Sequence, residues 1–315
     1  MLRWGSHSLW FNLPFLVCGW LSLLSSAGLA QSSGAHEAGQ GREPGLIGPV
    51  NHRAETQEPS TLPKDRSGSL DWENRRGRSY LIPAAEVLTY LFLLNQYDRH
   101  FTEPKDVYRT TGTTIREHLT DSKWVFDNDQ FSVNQFLHPY GGSVYFGLAR
   151  SAGLSFWESS LYSVAGSFLW EIGGERTSPS INDMITTPIG GTFLGEPLFR
   201  MANLLLETGD GPPGFWRELG AAIISPPTGF NRLVFGNRFD SVYPSHRPAT
   251  FLRLEAGGTL TSSSRNVSSS VNEHGAVGEL TFTYGLPGKS GYGYTRPFDY
   301  FDFHVSAATA NTLET

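Results

Sequence analysis

The chain has 315 residues, 39% of them hydrophobic, with a formal net charge of −6 at pH 7 and one cysteine. This length is sufficient for one large domain or two modest ones. The mild acidity, and the lack of a Lys/Arg cluster on any one element, argue against binding to nucleic acid.

The first thirty residues have the layout of a secretory signal peptide. Arg3 precedes an apolar run from Leu13 to Leu24, and small residues follow before a cleavage site ahead of Gln31. The short run fits a signal peptide better than a retained membrane anchor. Cys18 lies within it, so the mature chain would have no disulfide and no thiolate chemistry. We therefore predict a signal peptide over residues 1–30 and an exported protein.

Three regions are predicted after the signal peptide. Residues 31–79 are rich in Gly, Glu, Pro, Ser and Arg and poor in large apolar groups, which is typical of a disordered linker. Residues 80–240 are predicted to form a helical domain that starts with a helix over Ala84–Phe101. Within it, the stretch Lys123–Val133 is expected as loop or strand. Residues 245–315 are predicted to form an antiparallel β-strand region.

The helices of this domain are expected to pack unusually closely. Small residues recur at four-residue steps in three segments, which lets two backbones approach each other: Ser143, Gly147, Ser151, Ser159, Ser163, Ser167, Gly191 and Gly195. A stripe of apolar residues on the second segment is predicted to face a core: Leu154, Trp157, Leu161, Val164, Phe168 and Ile172. Gly190-Gly191 after Pro188 predicts a break between a short helix and the next one.

The strands are predicted from alternation of apolar and polar residues around Leu252, Leu280 and Phe301. The pattern fits a soluble sheet packed on the helices or the start of an outer-membrane-type β-barrel, which needs about eight strands or more. Aromatic residues near strand ends are typical of such barrels: Tyr292, Tyr294, Phe298 and Tyr300. The predicted fold class is α+β, a compact bundle of small-residue-packed helices followed by antiparallel β-strands.

Glu171 is the first candidate catalytic residue. It continues the row of Ser159, Ser163 and Ser167 by one more step of four, so it is expected to project into a close helix contact. A carboxylate there needs a partner or a raised pKa, and either would mark a functional site. Alternatively, Gly173-Gly174 ends the helix and Glu171 reaches water.

The acids that follow have structural interpretations. Ser180 and Asp183 have the spacing of a helix-capping box, and capping gives no role to Asn182, the polar residue between them. Glu196 and Arg200 are spaced i, i+4 and are predicted to form a surface ion pair.

His138 precedes Pro139, which predicts an extended conformation at the start of a helix. Its imidazole is a candidate base or ligand, although a lone histidine is more often structural. His138, Glu171 and Asp183 together offer a metal or acid–base site, but no HExxH motif or other fixed ligand spacing supports it. A GxSxG motif and a phosphate-binding glycine loop are also lacking. We therefore predict no cofactor and no metal.

Two runs of the sequence carry a resemblance to a known family: NQFLHPYGGSVYFGLARSAGLSFWESS and GSFLWEIGGERTSPSINDMITTPIGGTFLGE. Over about residues 80–210 the chain closely resembles an uncharacterised family of exported bacterial proteins, the domain of unknown function numbered 3943. The resemblance implies that the helices are followed by strands like those of an outer-membrane barrel, and PFDYF at 297–301 is similar to its opening strands. A fainter similarity in the acids and glycines points to VanZ-like membrane proteins.

Two functions are expected. The first is a non-enzymatic protein of the Gram-negative periplasm or outer membrane, serving as a structural, assembly or lipid- or partner-binding module. The alternative is an envelope hydrolase or transferase that acts on a lipid or glycan. In this enzyme, Glu171 and His138 would transfer protons, and Asn182 or Asp183 would orient the side chains of these two residues. The outer membrane or envelope lipid is the expected partner, and the chain could also form a homo-oligomer.

Overall fold

The computed structural model of the chain describes residues 68–266, 269–286 and 293–314. The predicted signal peptide, residues 31–67 of the predicted linker and Tyr292 lie outside these residues. In the described part, seven α-helices precede three antiparallel strands, which confirms the α+β prediction. The helices are α1 (Leu81–Phe101), α2 (Gly112–Thr120), α3 (His138–Ser151), α4 (Phe156–Gly173), α5 (Asp183–Glu207), α6 (Phe215–Ile224) and α7 (Pro226–Phe235). The strands are β1 (Thr250–Asn266), β2 (Ser269–Tyr284) and β3 (Phe301–Glu314).

Helix α3 is the centre of the helical part. Every residue from Gly142 to Ser151 is buried, because α1, α4, α5 and α7 pack around this helix. Small residues make the closest of these contacts. A Cβ atom on Gly191 of α5 would overlap the backbone of Gly142, and Ser163 Oγ of α4 donates to Gly142 O at 2.6 Å. The backbones of three helices therefore meet near one glycine.

The apolar stripe of α4 does not face the core, and this prediction was wrong. Leu154 and Ile172 at its ends are buried, but Trp157 is 71% exposed and Leu161 is 66% exposed. The serine row is buried instead, with Ser163 fully enclosed. The small side lies inward because only side chains of little volume fit where α4 approaches α3 so closely. Large apolar side chains therefore cover the outside of the helix.

The predicted break at Gly190-Gly191 was also wrong, because α5 runs without interruption through both Pro188 and Pro197. Gly190 lies against Pro139, and Gly191 lies against Gly142. These contacts with α3 outweigh the low intrinsic helix propensity of glycine and proline. The ends of the helix are elsewhere, at Asp183 and Glu207.

The last residues of the predicted linker are part of the packed structure. Leu70 is buried together with Ala152 and Phe239, and its N–H donates to Arg238 O at 2.9 Å. Trp72 Nε1 donates to Ser241 O at 3.1 Å. Large apolar groups are sparse in this segment, but these two bury enough surface to fix it against the helices. The packed chain therefore starts ahead of Tyr80.

The sheet has the order β1-β2-β3, as antiparallel pairing predicts. Leu252 pairs with Phe282, which pairs with Phe303, so these three side chains share one face. Leu254, Leu280 and Val305 form a second apolar row on that face, and Leu254 and Val305 are exposed. That these strands open an outer-membrane-type barrel stays a prediction. None of the described helices has the length and apolarity required to cross a membrane.

Candidate functional site

The site is built where the loop before α3 runs beside the start of α5. Val125 N donates to Pro179 O at 3.0 Å, and Ile181 N donates to Val125 O at 2.8 Å. This short parallel pairing places Asp127 next to Asn182. The stretch predicted as loop or strand is thus a loop with one strand-like bridge up to Gln130, and its last three residues are helical.

Glu171 accepts a hydrogen bond from the backbone of this crossing. Its Oε2 lies 2.6 Å from Ser180 N, and the side chain is buried at the end of α4. Burial raises the pKa of Glu171 to about 8, and the hydrogen bond from Ser180 lowers it only in part. In the predicted capping box, Asp183 would accept the hydrogen bond of Ser180 N. Glu171 accepts this hydrogen bond instead, and it thereby joins α4 to the start of α5.

Asn182 organises the polar side chains around the start of α5. Its Nδ2 donates to Asp127 Oδ1 at 2.7 Å and to Asp183 Oδ1 at 3.1 Å. Its Oδ1 accepts from Asp127 N at 3.0 Å and from Ser180 Oγ at 3.0 Å. The residue without a capping role thus fixes the orientation of two carboxylates.

His138 lies in the first turn of α3, facing two acids. Its Nε2 lies 3.4 Å from Asp183 Oδ2 and 3.9 Å from Asp129 Oδ2. The expected extended conformation was wrong. A π-helical turn over Val133–Leu137 leads directly into α3, and His138 N donates to Val133 O. The imidazole is therefore held by the helix rather than by the loop.

The charges of this cluster depend on each other. Burial raises the pKa of Asp183 to about 7, although His138 opposes the rise. Burial disfavours the imidazolium form of His138, but the acids Asp129 and Asp183 raise its pKa above the ordinary value. The protonation of His138 and that of Asp183 are therefore coupled.

A second buried charge cluster joins the helices to the strand region. Glu196 is fully buried and accepts from Arg150 Nε at 2.8 Å and from Arg200 Nε at 2.7 Å. Arg200 also donates to Asp299 Oδ1 at 3.0 Å and to Pro297 O at 2.6 Å. The predicted ion pair between Glu196 and Arg200 forms, but its expected location at the surface was wrong. The segment 295–299 covers the outer side of Arg200, and the spacing of the two residues along α5 could not reveal this.

A cavity of about 230 Å³ lies beside this second cluster. Its lining includes Trp72, Phe156, Tyr243 and four arginines. Each of the arginines lies within 4.0 Å of a carboxylate. The four arginines share three acids, Glu158, Glu196 and Asp299, so the lining keeps an excess of positive charge.

Sequence reasoning thus found part of the site and missed the rest. The structure brings His138, Asn182 and Asp183 together, and Glu171 lies close enough to influence the pKa of His138. The residues that were missed are Asp127, Asp129 and Asn134. The acidic stretch DNDQ at 127–130 was the available signal, but nothing in its spacing linked it to Asp183.

Two polar clusters inside a bundle of closely packed helices, with an antiparallel sheet attached, define this protein as an α+β protein with a polar interior site. Residues 123–227 match the model of the family described as "Domain of unknown function (DUF3943)". This segment holds all of the candidate site residues, and the match supports the resemblance to that family. No curated protein and no solved structure matches the chain.

Proposed function

We propose that this chain is an exported, non-enzymatic protein of the cell envelope that associates with lipid of the outer membrane through its helices. The observation that supports the proposal is the inverted distribution of side chains in α4 and α5. The buried positions include Ser, Gly and an ion pair beside apolar residues such as Phe199 and Leu206, whereas many outward positions carry large apolar groups. A helix whose apolar side has no protein partner is typical of a lipid-facing or interfacial surface.

Several large apolar residues of α4 and α5 are exposed. We call the following set the outer apolar face: Trp157, Leu161, Val164 and Phe168 of α4, and Ile185, Ile189 and Phe193 of α5. Phe298 joins the two helices, since its ring centroid lies 5.4 Å from that of Phe193 and 5.6 Å from that of Phe156. Phe298 therefore bridges the start of α4 and the middle of α5.

The length of this face suits one leaflet of a bilayer. From Ser159 to Trp170 the sequence of α4 has no charged residue, which corresponds to about 18 Å of helix. The hydrocarbon core of a bilayer is about 30 Å thick, so the face suits partial insertion. The signal-peptide layout of residues 1–30 supports export. Export is required if the protein is to reach lipid of the outer membrane.

A vesicle-partition experiment tests this proposal. The triple variant Trp157→Ser, Leu161→Ser, Phe168→Ser should bind vesicles of phosphatidylethanolamine and phosphatidylglycerol at least about tenfold more weakly than the wild type. The reason is that transfer of each such side chain into an apolar phase contributes about 1.5–3 kcal/mol. Cosedimentation of protein with vesicles measures the partition coefficient.

Phe101→Ser provides a matched control. Phe101 is 74% exposed but lies at the end of α1, outside the outer apolar face, so its partition coefficient should equal that of the wild type. Equal binding of the wild type and the triple variant, with both folded by circular dichroism, would contradict the proposal.

The alternative function, an envelope hydrolase or transferase, has one observation in its favour, the contact between His138 and Asp183. Glu171 contributes little to this alternative because the Ser180 amide already engages its carboxylate inside a buried helix contact. A general acid or base must reach the reacting atom of a substrate. We therefore favour the non-enzymatic function.

A further inference from the structure

The atom that most needs a partner in the candidate site is Nε2 of His138. It is buried and makes no hydrogen bond to the described part of the chain, although two carboxylate oxygens lie nearby. A buried polar group without a hydrogen bond is costly and is seldom left without a compensating contact. Its surroundings therefore indicate what would satisfy it.

Each of the two carboxylates nearest to Nε2 has one oxygen within 4.0 Å of it. Asn182 donates to Asp183 Oδ1, which leaves Asp183 Oδ2 directed at His138. Asp129 Oδ2 lies on the other side of the imidazole nitrogen. One atom of each residue, Nε2 and the two oxygens, lies within 4.8 Å of the others. The result is one nitrogen and two oxygen atoms that lie close to one another.

These distances fit a small divalent cation. Bonds of about 2.0–2.2 Å to a tetrahedral Zn²⁺ place neighbouring ligand atoms about 3.3–3.6 Å apart. The contact between His138 and Asp183 already has this length at 3.4 Å, and the 3.9 Å contact to Asp129 needs only a small contraction. Asp129 can supply that movement because it lies in a loop with its side chain 50% exposed.

We propose that Asp129, His138 and Asp183 bind one divalent cation of the Zn²⁺ type. Three protein ligands leave a fourth coordination position for water or a further ligand. Asn182 is a positioning residue in this site, since it fixes the carboxylate of Asp183 from behind. The exposed side of Asp129 provides the path by which the ion enters.

The cation would connect three segments of the chain. Asp129 comes from the loop before the π-helical turn, His138 from the start of α3, and Asp183 from the start of α5. Binding to the folded state alone stabilises the fold by mass action. Thermal unfolding is therefore a second readout of binding, and it needs no knowledge of activity.

Titration with Zn²⁺ alone tests the proposal on the full chain after treatment with a chelator. We expect one Zn²⁺ per chain by calorimetry and a rise in the unfolding temperature with Zn²⁺ concentration. His138→Gln and Asp183→Asn should each weaken binding at least about 100-fold and abolish the rise. Asn182→Ala should weaken it by about 10–100-fold, the range measured for residues that orient metal ligands.

Asp106→Asn is the matched control, because Asp106 is exposed and pairs with Arg109 away from the site. Its Zn²⁺ affinity should equal that of the wild type. If the buried substitutions unfold the chain, Asp129→Asn decides the test, since its half-exposed side chain tolerates replacement. Failure of the folded wild type to bind Zn²⁺ would overturn the proposal and leave only an ion pair. Binding that Asp129→Asn and His138→Gln do not change would overturn it too.

Discussion

Glu196 is the residue on which the interior of the protein depends most directly. Its carboxylate lies between the guanidinium groups of Arg150 and Arg200, and all three side chains are buried. Burial disfavours the charge, but Arg150 and Arg200 together hold the pKa of Glu196 below its ordinary value. Such a carboxylate stabilises the fold mainly because its removal leaves buried cations without a partner.

Glu196→Gln should therefore lower the free energy of unfolding by about 3–5 kcal/mol, the cost of breaking a buried ion pair. Urea denaturation measures the change. Glu103→Gln is the control, because the Glu103–Lys105 pair is exposed and should contribute no more than about 1 kcal/mol. Equal effects of the two substitutions would show that the buried network does not stabilise the fold.

At the scale of elements, the crossing of α3 and α5 determines how closely the helices pack. Gly142 and Gly191 face each other, and a Cβ atom on Gly191 would lie 2.8 Å from Ser143 N and overlap the backbone of Gly142. Backbone cannot move aside as the end of a long side chain can, so the two helices would have to separate. The glycines here serve close approach rather than flexibility.

Gly191→Ala should lower the free energy of unfolding by about 1–3 kcal/mol, the usual cost of overpacking. Gly141→Ala is its matched control on α3, since a Cβ atom there meets nothing within 4 Å. The control should gain up to about 1 kcal/mol from the higher helix propensity of alanine. Thermal or urea unfolding of both variants measures the difference, and destabilisation of Gly141→Ala alone would refute this view of the crossing.

At the scale of the whole molecule, several buried acids favour their neutral forms. Burial raises the pKa of Glu86 to about 8 and that of Asp98 to about 6, in addition to that of Glu171. Both oxygens of Glu86 are buried without a hydrogen bond to the described residues. The folded chain holds these protons more tightly than the unfolded chain. Its stability therefore falls as the pH rises from the pKa values of the acids in the unfolded chain to their raised pKa values in the folded chain.

We therefore expect the free energy of unfolding to decrease from about pH 5 to about pH 8, and to level off above pH 8. Glu86→Gln should reduce this decrease, since glutamine cannot ionise. Urea denaturation at a series of pH values measures the slope, and Glu103→Gln should keep the slope of the wild type. A stability that rises from pH 5 to pH 8 would contradict the assignment of these protons.

The sequence predicted the elements of this fold better than their orientation. Periodicity located α1, α4 and the strands because spacing of apolar residues is a local property. It assigned the inner side of α4 to the wrong residues, because the spacing of apolar residues does not tell which side of a helix packs against its neighbours. The same limit applies to the site. Asn182 was recognised as unexplained, but its contact with Asp127 depends on a pairing 55 residues apart.

The hydrogen bonds of Arg200 also determine how the chain can be divided for study. A fragment restricted to residues 123–227 would omit Leu70, Pro297 and Asp299, and so would lose both a core side chain and two acceptors of a buried guanidinium. The segment that matches the family model thus lacks contacts that the structure makes with residues outside it. Recombinant expression of the family segment alone should yield insoluble protein, whereas a piece beginning at Gly68 and retaining the strands carries all of these partners.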